Sequence, residues 1–242
     1  VEKLNPSLPQ SRPAPSPSAP LCAFTIAPLP IVLNRAELMR YLGYGPAAPD
    51  RVLPDTFEQA LQRGFSVLQP RGTYSIYAVD ACEPERLVLG GASLAGQVAT
   101  FLRHANRVAV FVATVGEPIT ELSREASAQG DMASSWALDA LGSWAAEAAV
   151  DALMLDVARH AETCEALSAR FSPGYCGMSL SQQAVLFALV AASGLKVSLL
   201  PSMLMQPLKT VSGIVGIGSQ KLLEPLGVPC EACDLEQCMM RR

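Results

Sequence analysis

The sequence predicts an α+β fold: a mostly antiparallel, twisted sheet with flanking helices. Two observations point there. Helical and extended patterns alternate irregularly, with no βαβ repeat and no internal repeat. A long alanine-rich helical stretch (133–166) stands beside a short, strongly apolar run (107–115) of the kind found in a buried central strand.

The first thirty residues hold eight prolines, which prevent a helix and remove ladder donors. Residues 1–30 are therefore expected as a proline-rich arm, with a short strand near Phe24. Asn34 is placed to cap a helix over 35–42, ended at Gly43. A second helix follows Pro54 over 55–62. Residues 74–79, rich in aromatic and β-branched side chains, predict a strand, and 86–89 another, ended by Gly90-Gly91. Ser93 starts a predicted helix to 104, and the strand 107–115 follows. Gly116-Glu-Pro118 breaks that strand before a helix to about 128. The alanine-rich helix, with a bend expected near Gly142, leads to a turn at Pro173-Gly174. A capping-box pattern, Ser179-Leu-Ser-Gln182, predicts a helix to 193. Residues 196–200 and 211–218 predict strands, and 220–226 a short helix. The main domain is expected over 31–226, with a cysteine-rich tail over 227–242.

The chain has 242 residues, enough to bury a full core; half are hydrophobic and 17% are charged. A net charge of -4 and the absence of any lysine–arginine run argue against nucleic-acid binding and a membrane-surface patch. The most apolar stretches carry Asp139, Glu147, Asp151, Asp156 or Lys196, so no membrane span is expected. Seven cysteines without a visible secretory pattern suggest a reducing, cytoplasmic setting.

Three stretches carry candidate chemistry. In Arg-Phe-Ser-Pro-Gly-Tyr-Cys-Gly (170–177), Arg170 has the planar five-donor fork suited to a carboxylate. The Pro173-Gly174 turn is expected to leave backbone groups free, at the positive end of the next helix. Tyr175 adds a flat face and a hydroxyl. A packed surface loop also fits these residues. The second stretch is Trp144-Ala-Ala-Glu147-Ala-Ala, an acid among small residues. Asp139, Ser143, Glu147 and Asp151 lie four apart along one helix edge. That edge is either simply solvated, or Glu147 meets a ligand ammonium while Arg170 takes the carboxylate, holding an amino acid by its two ends. The third is Leu200-x-Ser-x-x-Met205-x-Pro-x-x-x-Val211-Ser-Gly213, by itself most simply loop and strand packing.

In chain order, the alanine-rich helix with its central Glu147, then Arg170-x-x-Pro-Gly-Tyr175, then the 200–213 segment resemble the AdoMet-binding activation domain of cobalamin-dependent methionine synthase, where AdoMet is S-adenosylmethionine. Asn-Arg-x-Glu-x-x-Arg-Tyr-Leu-Gly-Tyr over 34–44 resembles the stand-alone relatives of that domain. The resemblance spans roughly residues 30–220. It implies a domain that holds AdoMet over the corrin of a partner, where an electron and the AdoMet methyl group convert inactive cob(II)alamin back to methylcobalamin. By position, Arg170 would hold the AdoMet carboxylate and Glu147 its ammonium. The backbone of Ser172, Pro173, Gly174 and Tyr175 would meet the adenine, with Tyr175 also beside the corrin as the catalytic candidate. The full-length enzymes continue with Pro-Ala-Cys-Pro-Asp-His, where this chain has Cys176-Gly-Met-Ser-Leu-Ser181.

No Asp-x-His-x-x-Gly cobalamin signature is present, so the corrinoid would be carried by another protein: a methionine synthase core or another corrinoid protein. A low-potential electron donor is implied too. Cys230, Cys233 and Cys238 are spaced to converge on zinc or an iron–sulfur cluster, the fourth ligand coming from elsewhere; reduced thiols on a tail also fit. Two rival functions remain open: an iron–sulfur reductive activator of a different corrinoid protein, and a non-catalytic module that binds one.

Overall fold

The computed structural model describes residues 18–44, 52–175, 177–190 and 192–223. Cys230, Cys233 and Cys238, and most of the proline-rich arm, lie outside these. The elements run β1 (Cys22–Ile26), α1 (Arg35–Tyr41), α2 (Asp55–Val67), β2 (Arg71–Glu83), β3 (Arg86–Leu89), β4 (Ala92–Ala95), α3 (Val98–Phe101) and β5 (Ala105–Thr114). Then come α4 (Pro118–Ala128), α5 (Met132–Val157), β6 (Glu165–Phe171), α6 (Gln183–Leu189), β7 (Ser198–Leu199), β8 (Met205–Gln206), β9 (Thr210–Ser219) and α7 (Gln220–Leu223).

The main sheet has the order β4-β3-β2-β5-β9-β6, with β1 also paired to β2, and every pairing is antiparallel. Alternate residues of each strand face opposite sides. Tyr74, Ile76, Ala109, Phe111, Val215 and Ile217 meet the layer built by α1, α2, α4 and α5. Tyr77, Val108, Val110, Val112, Phe171 and Ile214 meet the opposite layer, which includes α3 and α6. Because both faces are covered, β5 is apolar on both, which is why 107–115 stood out as a continuous apolar run.

The α+β, antiparallel expectation holds, and Asn34 caps α1 by accepting from the Glu37 N–H at 3.1 Å. Several local expectations do not. The helix expected from Ser93 is instead strand β4: Gly90 and Gly91 both take positive φ, 56° and 78°, and fold the chain into a hairpin with β3. Helix begins only at Val98. The alanine-rich helix ends at Val157, and part of its expected length is taken by β6. That strand was masked because Ala166, Ser168 and Ala169 carry little strand propensity; its conformation comes from pairing with β9. The strand expected over 196–200 shrinks to β7, paired with β8 in a hairpin apart from the main sheet.

Tyr74 ties the helical layer to the sheet. Its hydroxyl donates to Asp156 Oδ2 at 2.7 Å and lies 2.9 Å from His160 Nε2, while the Phe24 ring packs on both Tyr74 and His160. Burial, with the Asp156 carboxylate beside it, pushes the Tyr74 phenol well above its ordinary value. Among the described residues no helix is long and apolar enough to cross a membrane.

Candidate functional site

Helix α5 carries one edge of the site. Asp131 caps it, accepting from Ser134 N–H at 3.0 Å, and hydrogen bonds from Ser134 hold this carboxyl below the usual range. Twenty-six residues put seven turns of helix across the sheet. The small residues around Glu147 face the protein itself: Ala145 and Ala149 are fully buried in the core beneath the helix.

The four-residue spacing along α5 is met by two cations, Lys209 just before β9 and Arg170 of β6. Lys209 Nζ lies 2.6 Å from Asp139 Oδ1 and 2.9 Å from Ser143 Oγ. Gly142 makes this possible, since a Cβ there would stand 3.1 Å from the Lys209 stem. Two turns on, Arg170 of β6 reaches the same edge. Its Nη1 is 2.7 Å from Asp151 Oδ1 and its Nη2 is 3.4 Å from Glu147 Oε2. The structure therefore brings Arg170 and Glu147 together, with Asp151 as a third member that sequence reasoning had placed on the edge without a partner.

β6 runs directly into the Pro173-Gly174 turn. Phe171 anchors the approach, buried and packed on Phe101 with ring centroids 5.2 Å apart. Beside it, β9 supplies Gly213, where an added Cβ would lie 2.6 Å from the Phe171 carbonyl oxygen and 3.1 Å from Ser172 Oγ. Only a glycine lets the strand end and the turn lie this close. Gly174 takes φ 96° and has open space where a side chain would project. Tyr175 is 61% exposed.

Two expectations about this turn are revised. Its N–H groups are not free: Gly174 N–H donates to Met178 C=O at 2.7 Å and Tyr175 N–H to Ser172 C=O at 3.2 Å. Nor does it sit on a helix N-terminus. A 3₁₀ turn (Leu180–Gln182) comes first, and α6 is only seven residues long. Gln182 does not complete a capping box. Its amide instead accepts from Ala95 N–H and donates to Ala95 C=O, both at 2.8 Å, so it pairs with β4 as a strand would. The same junction brings Gly96 against the Gly177 backbone, where a Cβ would lie 2.6 Å from the Gly177 carbonyl oxygen. The turn is thus pinned from both sides, leaving Tyr175 displayed.

The third segment is structural. Thr210 is buried and donates to the Pro207 carbonyl at 2.7 Å, with Thr114 Oγ1 at 2.9 Å. Gly216 and Gly218 accommodate the protein's own Leu102, Ala105 and His104. Among the described residues no group of three or more histidine, cysteine or acidic side chains is arranged to hold a metal ion.

No family model matches this sequence, and no curated protein matches it significantly. Among solved structures, the MetH reactivation domain bound to AdoHcy superposes with a TM-score of 0.56 at 15% identity, covering 86% of this chain and 82% of that one. The fold is that of the MetH reactivation domain. At that identity the likeness concerns the overall fold alone, and the side chains must be judged on their own geometry.

Proposed function

We propose that this chain binds AdoMet and serves as the accessory component of a split cobalamin-dependent methionine synthase, supporting reductive methylation of inactive cob(II)alamin on a partner protein. The observation that carries the reading is the adjacency of Arg170 and Glu147 beside the turn that displays Tyr175. An α-amino acid bears its ammonium and carboxylate on one carbon. It therefore needs an acid and a planar cation side by side, not far apart. The AdoHcy bound to the reactivation domain of like fold carries that same group.

In this reading Arg170 takes the ligand carboxylate and Glu147 its ammonium. The backbone of Ser172, Pro173 and Gly174 borders the adenosine, mainly through shape and carbonyl groups, since the Gly174 and Tyr175 N–H groups are engaged within the turn. Tyr175 presents its ring to the corrin. When all components are assembled, one electron from a low-potential donor and the sulfonium methyl group of AdoMet convert cob(II)alamin to methylcobalamin, leaving AdoHcy. The chain's contribution is to hold the sulfonium in register with cobalt, an orientation effect. Lys209 supports this by fixing α5, and hence Glu147, against the sheet. The activity would make the chain a methyltransferase component of cytoplasmic methionine biosynthesis, with residues 31–226 as its AdoMet-binding domain. Cys230, Cys233 and Cys238 are proposed to bind zinc or an iron–sulfur cluster.

The test is reconstitution. A corrinoid protein holding cob(II)alamin, AdoMet and an electron donor should yield methylcobalamin, followed by its absorption spectrum, only when this chain is present. Glu147→Gln should slow the conversion with an unchanged circular dichroism spectrum. Equal rates without the chain, or no conversion at saturating AdoMet with a methionine synthase core as partner, would refute the proposal.

A further inference from the structure

We propose that Asp151 is an internal competitor for Arg170, so that this carboxylate sets how tightly the site takes the carboxylate of an amino-acid ligand. The inference rests on the preceding reading of Arg170 and Glu147 as the amino-acid clamp. Its basis is an asymmetry. Arg170 makes its short contact, 2.7 Å, with Asp151, while its contact with Glu147 is long at 3.4 Å. Charge-assisted N–H···O bonds have their usual length near the first value and not the second. Asp151 Oδ1 thus stands where one carboxylate oxygen of a ligand would stand.

The geometry of an α-amino acid makes the competition specific. A ligand whose ammonium reaches Glu147 must place its carboxylate next to Glu147, on the Nη edge of the guanidinium, and that is the edge Asp151 uses. The helix does not have to move for the exchange. Lys209 ties α5 down at Asp139 and Ser143, about three and two turns before Asp151. Only the Asp151 side chain must swing away. It is already 52% exposed against 36% for Glu147, so it returns to water at small cost, whereas Glu147 stays to meet the ammonium. The exchange is also neutral overall: one zwitterion enters, and no charge is left buried without a partner. The ligand-free site is thereby kept satisfied by an acid that a ligand carboxylate replaces.

The experiment is calorimetric titration of wild type, Asp151→Asn, Arg170→Ala and the double variant with AdoHcy, and of the first two with 5′-methylthioadenosine, which lacks the amino-acid end. Exposed ion pairs are weak, so removing the competitor should tighten AdoHcy about 2–5-fold. Methylthioadenosine should bind both proteins equally, and Asp151→Asn should give no gain once Arg170 is absent. Unchanged or weaker AdoHcy binding by Asp151→Asn overturns the proposal, as does equal tightening of methylthioadenosine, which would indicate a general change in the site. If wild type and Asp151→Asn both fail to bind AdoHcy, the amino-acid clamp itself is wrong and the proposal falls with it.

Discussion

Gly213→Ala is the substitution that most directly couples the fold to the candidate site. The new Cβ would lie 2.6 Å from the Phe171 carbonyl oxygen, 2.8 Å from Phe111 Cζ and 3.1 Å from Ser172 Oγ. The nearest of these is backbone, part of the β6–β9 pairing in which Phe171 faces Ile214, so it cannot turn aside as a side-chain tip can. Phe111 is buried in the core and is equally confined. Overpacking of this kind costs about 1–3 kcal/mol. Replacing glycine by alanine restricts the unfolded chain and offsets roughly 0.4–1 kcal/mol of that. The net expectation is about 1–2 kcal/mol of destabilisation, a fall in Tm of roughly 2–8 °C for a chain of this size. Thermal unfolding followed by circular dichroism measures it. Because Ser172 opens the Pro173-Gly174 turn, ligand affinity should fall together with stability. A variant as stable as wild type would refute the claim that β9 and the turn are in contact through this glycine.

Two further outcomes are expected. Gln182→Ala removes both bonds to Ala95, so the Ala95 amide should exchange its hydrogen faster, with a global loss of about 1–2 kcal/mol; undiminished Ala95 protection would contradict the pairing of Gln182 with β4. Tyr74→Phe should change the pH dependence of stability: since the folded phenol holds its proton more tightly than its ordinary value of 10.0, wild type loses stability as pH rises past about 10, and the gap between wild type and Tyr74→Phe should shrink over that range. A gap that is constant from about pH 9 to about 11 would show that Tyr74 is not held neutral by its surroundings.

The sequence disclosed the parts of this architecture that depend on local pattern. The Asn34 cap, the Arg86–Leu89 strand, the central apolar strand and the break at Gly116 all rest on near neighbours, and each is found close to where it was expected. What it concealed depends on distant partners. β6 takes its strand conformation from β9, nearly fifty residues later, and not from Ala166 or Ala169. Gln182 resembles a helix-capping residue because it follows Ser179 by three, yet its amide is drawn to the open edge of β4. The candidate site divides in the same way. Arg170 and Glu147 were legible as a planar cation and an acid among small residues. Asp139, Ser143 and Asp151 were visible only as a four-residue rhythm; their pairing with Lys209 and Arg170 required knowing which strand end passes α5. That rhythm was the one available signal, because a helix edge bearing three acids within thirteen residues calls for cations from somewhere.

Whether Arg170 and Glu147 form an amino-acid clamp for AdoMet is decided by titration calorimetry of the purified chain with AdoMet. Wild type should bind at a single saturable site, and Arg170→Ala should bind about 10–100-fold more weakly, since a charge-assisted contact contributes roughly 1.5–3 kcal/mol. Arg170→Lys should recover only part of that loss, because lysine lacks the fork. No saturable binding by wild type, or an affinity that Arg170→Ala leaves unchanged, would contradict the clamp.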